Sequence, residues 1–257
     1  MDLSDRPRPA RPVDDRPHPS GIDEWVFAAW TPDGTTGLVS GHRITGRRAW
    51  YWFALVESGR PMLHLTEWDV ALRSDPFVVK APEMWAEHHC VSPFEQWTIG
   101  NEGHAAALDD PEEAFGRAYG VPTPIATDVE WYATGAPAAI SPGRSGEVGF
   151  EQDGVAHGVI ELIDRPFVEL SEAPARRWRR WGTALGPLDL PTVVAHTGLR
   201  AGFSFPDGQA ADWVLTSSGW RRRASGRLVG SSARRRRVRP GDRRAVASTS
   251  GDPDDDQ

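Results

Sequence analysis

Short apolar runs recur along this chain at roughly 8–12 residue spacing, with glycine and proline turns between them, a pattern of antiparallel sheet closed into a barrel or sandwich. Arg48–Glu57 (RAWYWFALVE) is the strongest run, too aromatic and β-branched for a helix, and it ends at Ser58-Gly59-Arg60-Pro61. Met62–Val70 alternates: Met62, His64, Thr66 and Trp68 share one face, Leu63, Leu65, Glu67 and Asp69 the other. Further strands are predicted at Glu24–Trp30, Gly37–Ile44, Phe77–Lys80, Met84–Cys90, Gln96–Ile99, His104–Leu108, Ala126–Tyr132, Glu147–Gln152, Val155–Ile163, Phe167–Leu170, Thr192–His196, Gly202–Phe205 and Ala211–Thr216. One short helix is signalled near 111–119. Asp110 caps it, Pro111 takes its first position, Glu113 follows three residues after the cap, and Gly120 stops it.

Twelve tryptophans in 257 residues are the compositional anomaly. They serve either an aromatic core or an aromatic-lined cavity. The lone cysteine, Cys90, excludes an intramolecular disulfide. No apolar run approaches the roughly 18–20 residues of a membrane span, and no apolar leader follows Met1, so a cytoplasmic protein is expected. The net charge of -7 is uneven: residues 221–244 hold eleven arginines and one acid, Asp242. Lys80 is the only lysine, a bias that fits a GC-rich gene and weakens any argument from arginine over lysine. Residues 1–22 and 221–257 lack periodic apolar positions and are expected to be disordered.

Several short motifs follow one another: Phe94-Glu95-Gln96-Trp97, Ala107-Leu108-Asp109-Asp110-Pro111-Glu112-Glu113-Ala114, Val129-Glu130-Trp131, Phe150-Glu151-Gln152 with Val155-Ala156-His157-Gly158, Arg180-Trp181-Gly182, and Ala195-His196-Thr197-Gly198-Leu199-Arg200. In this order they resemble an actinobacterial branch of the lipocalin-type superfamily that includes AttH-like proteins and carotenoid 1,2-hydratases. The resemblance covers about residues 24–220. It implies paired or fused lipocalin-like barrels and hydrophobic isoprenoid or polyketide ligands. Relatives often place a histidine just before the Arg-Trp-Gly stretch, where this chain has Arg179. Relatives also continue with β structure where this chain enters its arginine run.

No Gly-x-Ser-x-Gly, Walker or Rossmann fingerprint is present. Glu87-His88-His89-Cys90 is the only local cluster with metal-ligand chemistry. On a strand it offers two ligands per face, short of the three or four a site needs unless His104, His157 or His196 joins in space. Neither metal nor cofactor is expected. The candidate acids are Glu95 beside Trp97, Glu151 with His157 across the Asp153-Gly154 turn, and Asp212 beside Trp213. A carboxyl held among apolar groups has a raised pKa and acts as a general acid. Hydratase or cyclase chemistry also needs a wall that stabilises a carbocation, for which Trp50, Trp52, Trp97, Trp131, Trp178 and Trp181 are candidates. Trp50 and Trp52 share one strand face, as a cavity lining or a core would require.

The sequence thus predicts a mainly β, lipocalin-like antiparallel barrel with two related halves, 23–140 and 145–220. The expected activity is binding of a small hydrophobic molecule, a terpenoid, polyketide or lipid, in an aromatic cavity. The alternative is a hydratase or cyclase using a buried carboxyl. Nucleic-acid association through the arginine run is the weakest reading, since only Trp220 supplies an aromatic there.

Overall fold

The computed structural model describes residues 9–140, 146–163, 165–194 and 198–224. The chain is mainly β. Among the described residues it forms β1 (Ile22–Trp30), β2 (Thr36–Thr45), β3 (Arg48–Glu57), β4 (Met62–Ala71), β5 (Val78–Ala81), β6 (Met84–Ser92), β7 (Gln96–Leu108), β8 (Val121–Ala133), β9 (Ala138–Ala139), β10 (Val148–Leu162), β11 (Val168–Gly182), β12 (Thr192–Val193), β13 (Arg200–Ser204), β14 (Ala210–Thr216) and β15 (Gly219–Arg223).

Strands β4, β3, β2, β1, β11, β10, β8 and β7 follow one another in an antiparallel sheet, and β4 pairs again with β7 through Met62–His64, which closes a ring. The β5–β6 hairpin lies along the first part of β7, whose last residues reach β4. An eight-stranded ring leaves an interior that side chains can fill. β12, β15, β14 and β13 form a second sheet.

This pairing changes the expected halves. β10 and β11, from beyond residue 145, belong to the ring: β10 pairs with β8, and β11 pairs with β1. The segment 23–140 does not close by itself, and β12–β15 form a sheet of their own.

Alternation sorts the ring's side chains into two cores. Trp25, Phe27, Tyr51, Phe53, Leu65, Trp97, Ile99, Val129, Trp131 and Ile160 fill the interior. Val26, Val39, Trp50, Trp52, Val56 and Trp178 face outward, but Phe203, Phe205, Trp213 and Trp220 cover them. Strands β1–β3 are therefore buried on both faces, which explains their unbroken apolar runs. Two glycines let indoles lie directly on the wall. A Cβ at Gly41 would stand 2.0 Å from Trp52, and one at Gly154 would stand 2.4 Å from Trp131.

Three local expectations change. The helix near 111–119 is one 3-10 turn, Pro111–Phe115, with Asp110 accepting from the Glu112 amide at 2.9 Å. Gly116 ends it. Arg221–Arg223, expected in the disordered tail, lie in β15; residues 225–257 fall outside the described residues. The expected disorder over 1–22 fails for the described part, residues 9–22. Pro12–Asp15 form a 3-10 turn, and Asp14 and Asp15 are buried.

That arm seals one end of the ring. Asp15 takes a two-pronged contact from Arg177, at 2.7 and 3.0 Å, and also accepts from the Phe94 amide at 2.9 Å. A buried charge stripped of its partner typically costs about 3–5 kcal/mol. Asp15→Ala should therefore lower unfolding stability by about that amount in urea titrations, whereas Glu95→Ala, at an exposed turn position, should change it by less than about 0.5 kcal/mol. Equal effects of the two would show that the arm does not hold the ring.

Candidate functional site

The two ends of the ring differ. At the sealed end, β11 turns two successive inward positions into guanidiniums. Arg177 lies over Trp131 (4.9 Å), Phe150 (5.1 Å) and Trp97 (5.6 Å) and donates to Gln152 as well as Asp15. Gln152 in turn donates to the carbonyls of Phe94 and Gly135, both at 2.8 Å. Arg179 stands 4.0 Å over Trp25, donates to the Asp14 and Arg16 carbonyls, and pairs with Asp23. Burial lowers its pKa to about 10, with the acids around it opposing that shift, so it stays charged at neutral pH.

Outside the wall, Glu24 bridges Arg180 and Arg43. Burial alone would raise its pKa, but the two guanidiniums outweigh it and hold it below the ordinary value. These pairs follow the rule that buried charge must be matched.

Towards the other end a wide groove runs along β5–β8 and the end of β10. Ala81, Met84, Gly103, Ile125 and Leu162 line a cleft of about 750 Å³, rimmed by Lys80, Glu83, Glu102, His104 and Glu161. Met84, Ile125 and Leu162 belong to the interior core, so the cleft leads onto apolar side chains. Tyr119, just before β8, Val121, its first residue, and Ile163 and Phe167, between β10 and β11, are exposed at this same end.

Between the two ends lies a buried polar cluster. Ser40 Oγ is 2.8 Å from His88 Nε2 and 3.3 Å from the Tyr51 hydroxyl, which accepts from Asn101 at 2.9 Å. The His42 ring packs 5.8 Å from that of His88. Among the described residues, His42 Nε2, His88 Nδ1, Asn101 Oδ1 and the indole nitrogens of Trp97 and Trp131 have no hydrogen-bond partner. Orphaned groups of this kind each cost about 1–3 kcal/mol.

The sequence-derived acids are not gathered in the interior. Glu95 precedes β7 in an exposed turn and accepts from Ser92 at 2.7 Å, so the apolar environment expected for it is absent. Glu151 sits on the outer face of β10, where it accepts from Trp178 Nε1 at 3.2 Å. His157 lies at the β10–β11 irregularity, with its Nδ1 3.4 Å from the Glu172 amide. Asp212 pairs with Arg200 and Arg223. Of the six tryptophans, Trp97 and Trp131 are interior, whereas Trp50, Trp52 and Trp178 belong to the outer core. Trp181 stacks on His18 at 4.8 Å.

His88 and Cys90 point inward from β6, while Glu87 and His89 point away. Among the described residues no three His, Cys, Asp or Glu groups come together as metal ligands, and His196 lies outside those residues. Sequence reasoning missed Ser40, His42, Tyr51, Asn101, Asp15 and Arg177. The alternation in Arg177-Trp178-Arg179 was the available signal, since one face of that strand had to take two cations.

Burial pulls His42 down to about 3 and His64, under Phe203 on the outer face, to about 4. His88 lies well below its ordinary value through burial and its neighbour His42. All three are neutral in the folded protein near pH 7. An unfolded histidine titrates near 6.5, so below that pH the unfolded chain binds more protons and stability falls. The slope is at most about 1.4 kcal/mol per pH unit per histidine. The urea midpoint should be flat above about pH 7.5 and drop steadily from about pH 6.5 towards 5. A midpoint unchanged over that range would refute neutral burial.

No family model matches the chain, and no curated protein matches it.

Proposed function

We propose that the ring binds a small, largely apolar molecule such as a terpenoid, polyketide or lipid, taken up through the groove along β5–β8. The observation that carries this reading is the difference between the two ends. One is sealed by the arm and its ion pairs, and towards the other lies a wide cleft of about 750 Å³ with an apolar floor and a charged rim, a size suited to ligands of this class. The exposed Val121, Ile163 and Phe167 beside the cleft support entry of an apolar molecule there.

Binding without turnover is preferred over hydratase or cyclase chemistry. That chemistry needs a shielded acid beside the ligand, and Glu95, Glu151 and Asp212 lie outside the ring with solvent, indole or arginine partners.

Mass spectrometry of an organic extract from the purified protein tests the reading against a control protein handled identically. A specific apolar molecule is expected. Ala81→Trp, which fills the lip of the cleft, should reduce its recovery or the affinity of re-added molecule at least about tenfold, the scale of one misfitted buried group. A clean extract, with no uptake of apolar probes by the wild type, would overturn the proposal.

A further inference from the structure

Strands β10 and β11 leave a second hollow, on the outer side of the ring against the β14–β15 hairpin. It is a half-enclosed cleft of about 180 Å³. Three indoles wall it: Trp30 from the end of β1, Trp178 from β11 and Trp220 from β15. Each is held in place. Trp178 Nε1 donates to Glu151 at 3.2 Å, and Trp220 Nε1 reaches the Ala29 carbonyl at 3.5 Å. Trp30 lies against Gly219, whose φ of +97° suits glycine and where a Cβ would stand 2.6 Å from the ring. Trp178 and Trp220 are 3% and 2% exposed and belong to the outer core, so Trp30, half-buried, offers the most accessible ring.

The charges on its lip are unequal. Arg176 is matched, at 2.7 Å from Asp153 and 3.9 Å from Glu151. Arg221 is oriented but not matched: it donates to the Trp220 carbonyl at 2.9 Å and to Ser218 Oγ at 3.2 Å, and makes no ion pair among the described residues. An oriented guanidinium beside aromatic walls recognises a planar acid attached to a ring, through charge-assisted hydrogen bonds and stacking. The volume is below the several hundred Å³ of a drug-sized site, which leaves room for one or two rings. Asp153 on the same lip is taken up by Arg176, so Arg221 is the charge left to face a ligand.

We propose that this cleft binds a small aromatic carboxylate, its ring against Trp30 at the edge of the buried Trp178 and Trp220 and its acid on Arg221. The site is separate from the groove along β5–β8 and does not depend on what binds there.

Isothermal titration of the full chain with sodium 2-naphthoate and with the neutral 2-naphthamide tests it. The acid should saturate a single site and bind roughly tenfold or more tightly than the amide, the contribution of a hydrogen bond to a charged group. Arg221→Gln should abolish that preference without changing the circular dichroism spectrum or Tm, because the side chain bonds only to its own hairpin. Ala81→Trp should leave naphthoate binding intact. Absence of saturation, equal affinities for acid and amide, or a preference that survives Arg221→Gln would overturn the proposal. So would naphthoate binding that is lost in Ala81→Trp alone, since it would place the probe in the other cleft.

Discussion

A guanidinium turned towards the inside of a closed sheet has to be matched there, because water cannot reach it. Arg177 and Arg179 impose this demand at successive inward positions of β11. No strand neighbour supplies a carboxylate for Arg177; Asp15 does, from an arm that has no strand of its own. The arm is consequently part of the fold. Its acid orders the Phe94 turn, whose residue adopts a φ of 64°, and the same turn accepts the Gln152 amide. One ion pair thus links the arm, the start of β7, β10 and β11, and determines which end of the ring is shut.

The second constraint is that the ring is buried on both faces over β1–β3. Trp50 and Trp52 lie outside the ring, yet are 7% and 1% exposed because β13–β15 cover them. An indole on the outside of this wall is as much a core residue as one on the inside. The two sets are separated by a single sheet, on which Gly41 under Trp52 and Gly154 under Trp131 let the indoles lie directly against the backbone. The aromatic content serves two cores, and the outer one also makes the walls of the small cleft at Trp30, Trp178 and Trp220.

How much of this was legible follows from the range of each interaction. The β1–β4 strands could be read because alternation and turn residues are local, and the structure places β3 at Arg48–Glu57 as the pattern predicts. The shared face of Trp50 and Trp52 was legible too, but its direction was not, since the covering sheet lies some 150 residues further along the chain. Asp14-Asp15 in a proline-rich arm carries no local sign of burial; its partners are 162 and 165 positions away. Glu95 misled for the opposite reason. Its neighbour Trp97 is interior, but the strand begins only at Gln96, and the turn before it leaves the carboxyl in solvent.

The buried Ser40, His42, Tyr51, His88 and Asn101 set a polar cluster inside an otherwise aromatic interior. A purely structural core would be more stable with these positions apolar, since a half-satisfied polar network is inferior to a hydrocarbon one. Burial keeps both imidazoles neutral, so each ring nitrogen is free to donate or accept according to its tautomer. Their hydroxyl partners adjust in the same way, because the Ser40 and Tyr51 protons rotate. Such a cluster can exchange its internal bonds for those of a neutral polar group without creating or burying a charge. An arginine or carboxylate at the same depth could not, and the fold places its charged groups at the sealed end and on the outer wall, where the arm and the covering sheet match them. The distribution leaves the middle of the ring polar but uncharged, with its charges confined to the end held by the arm and to the outer wall.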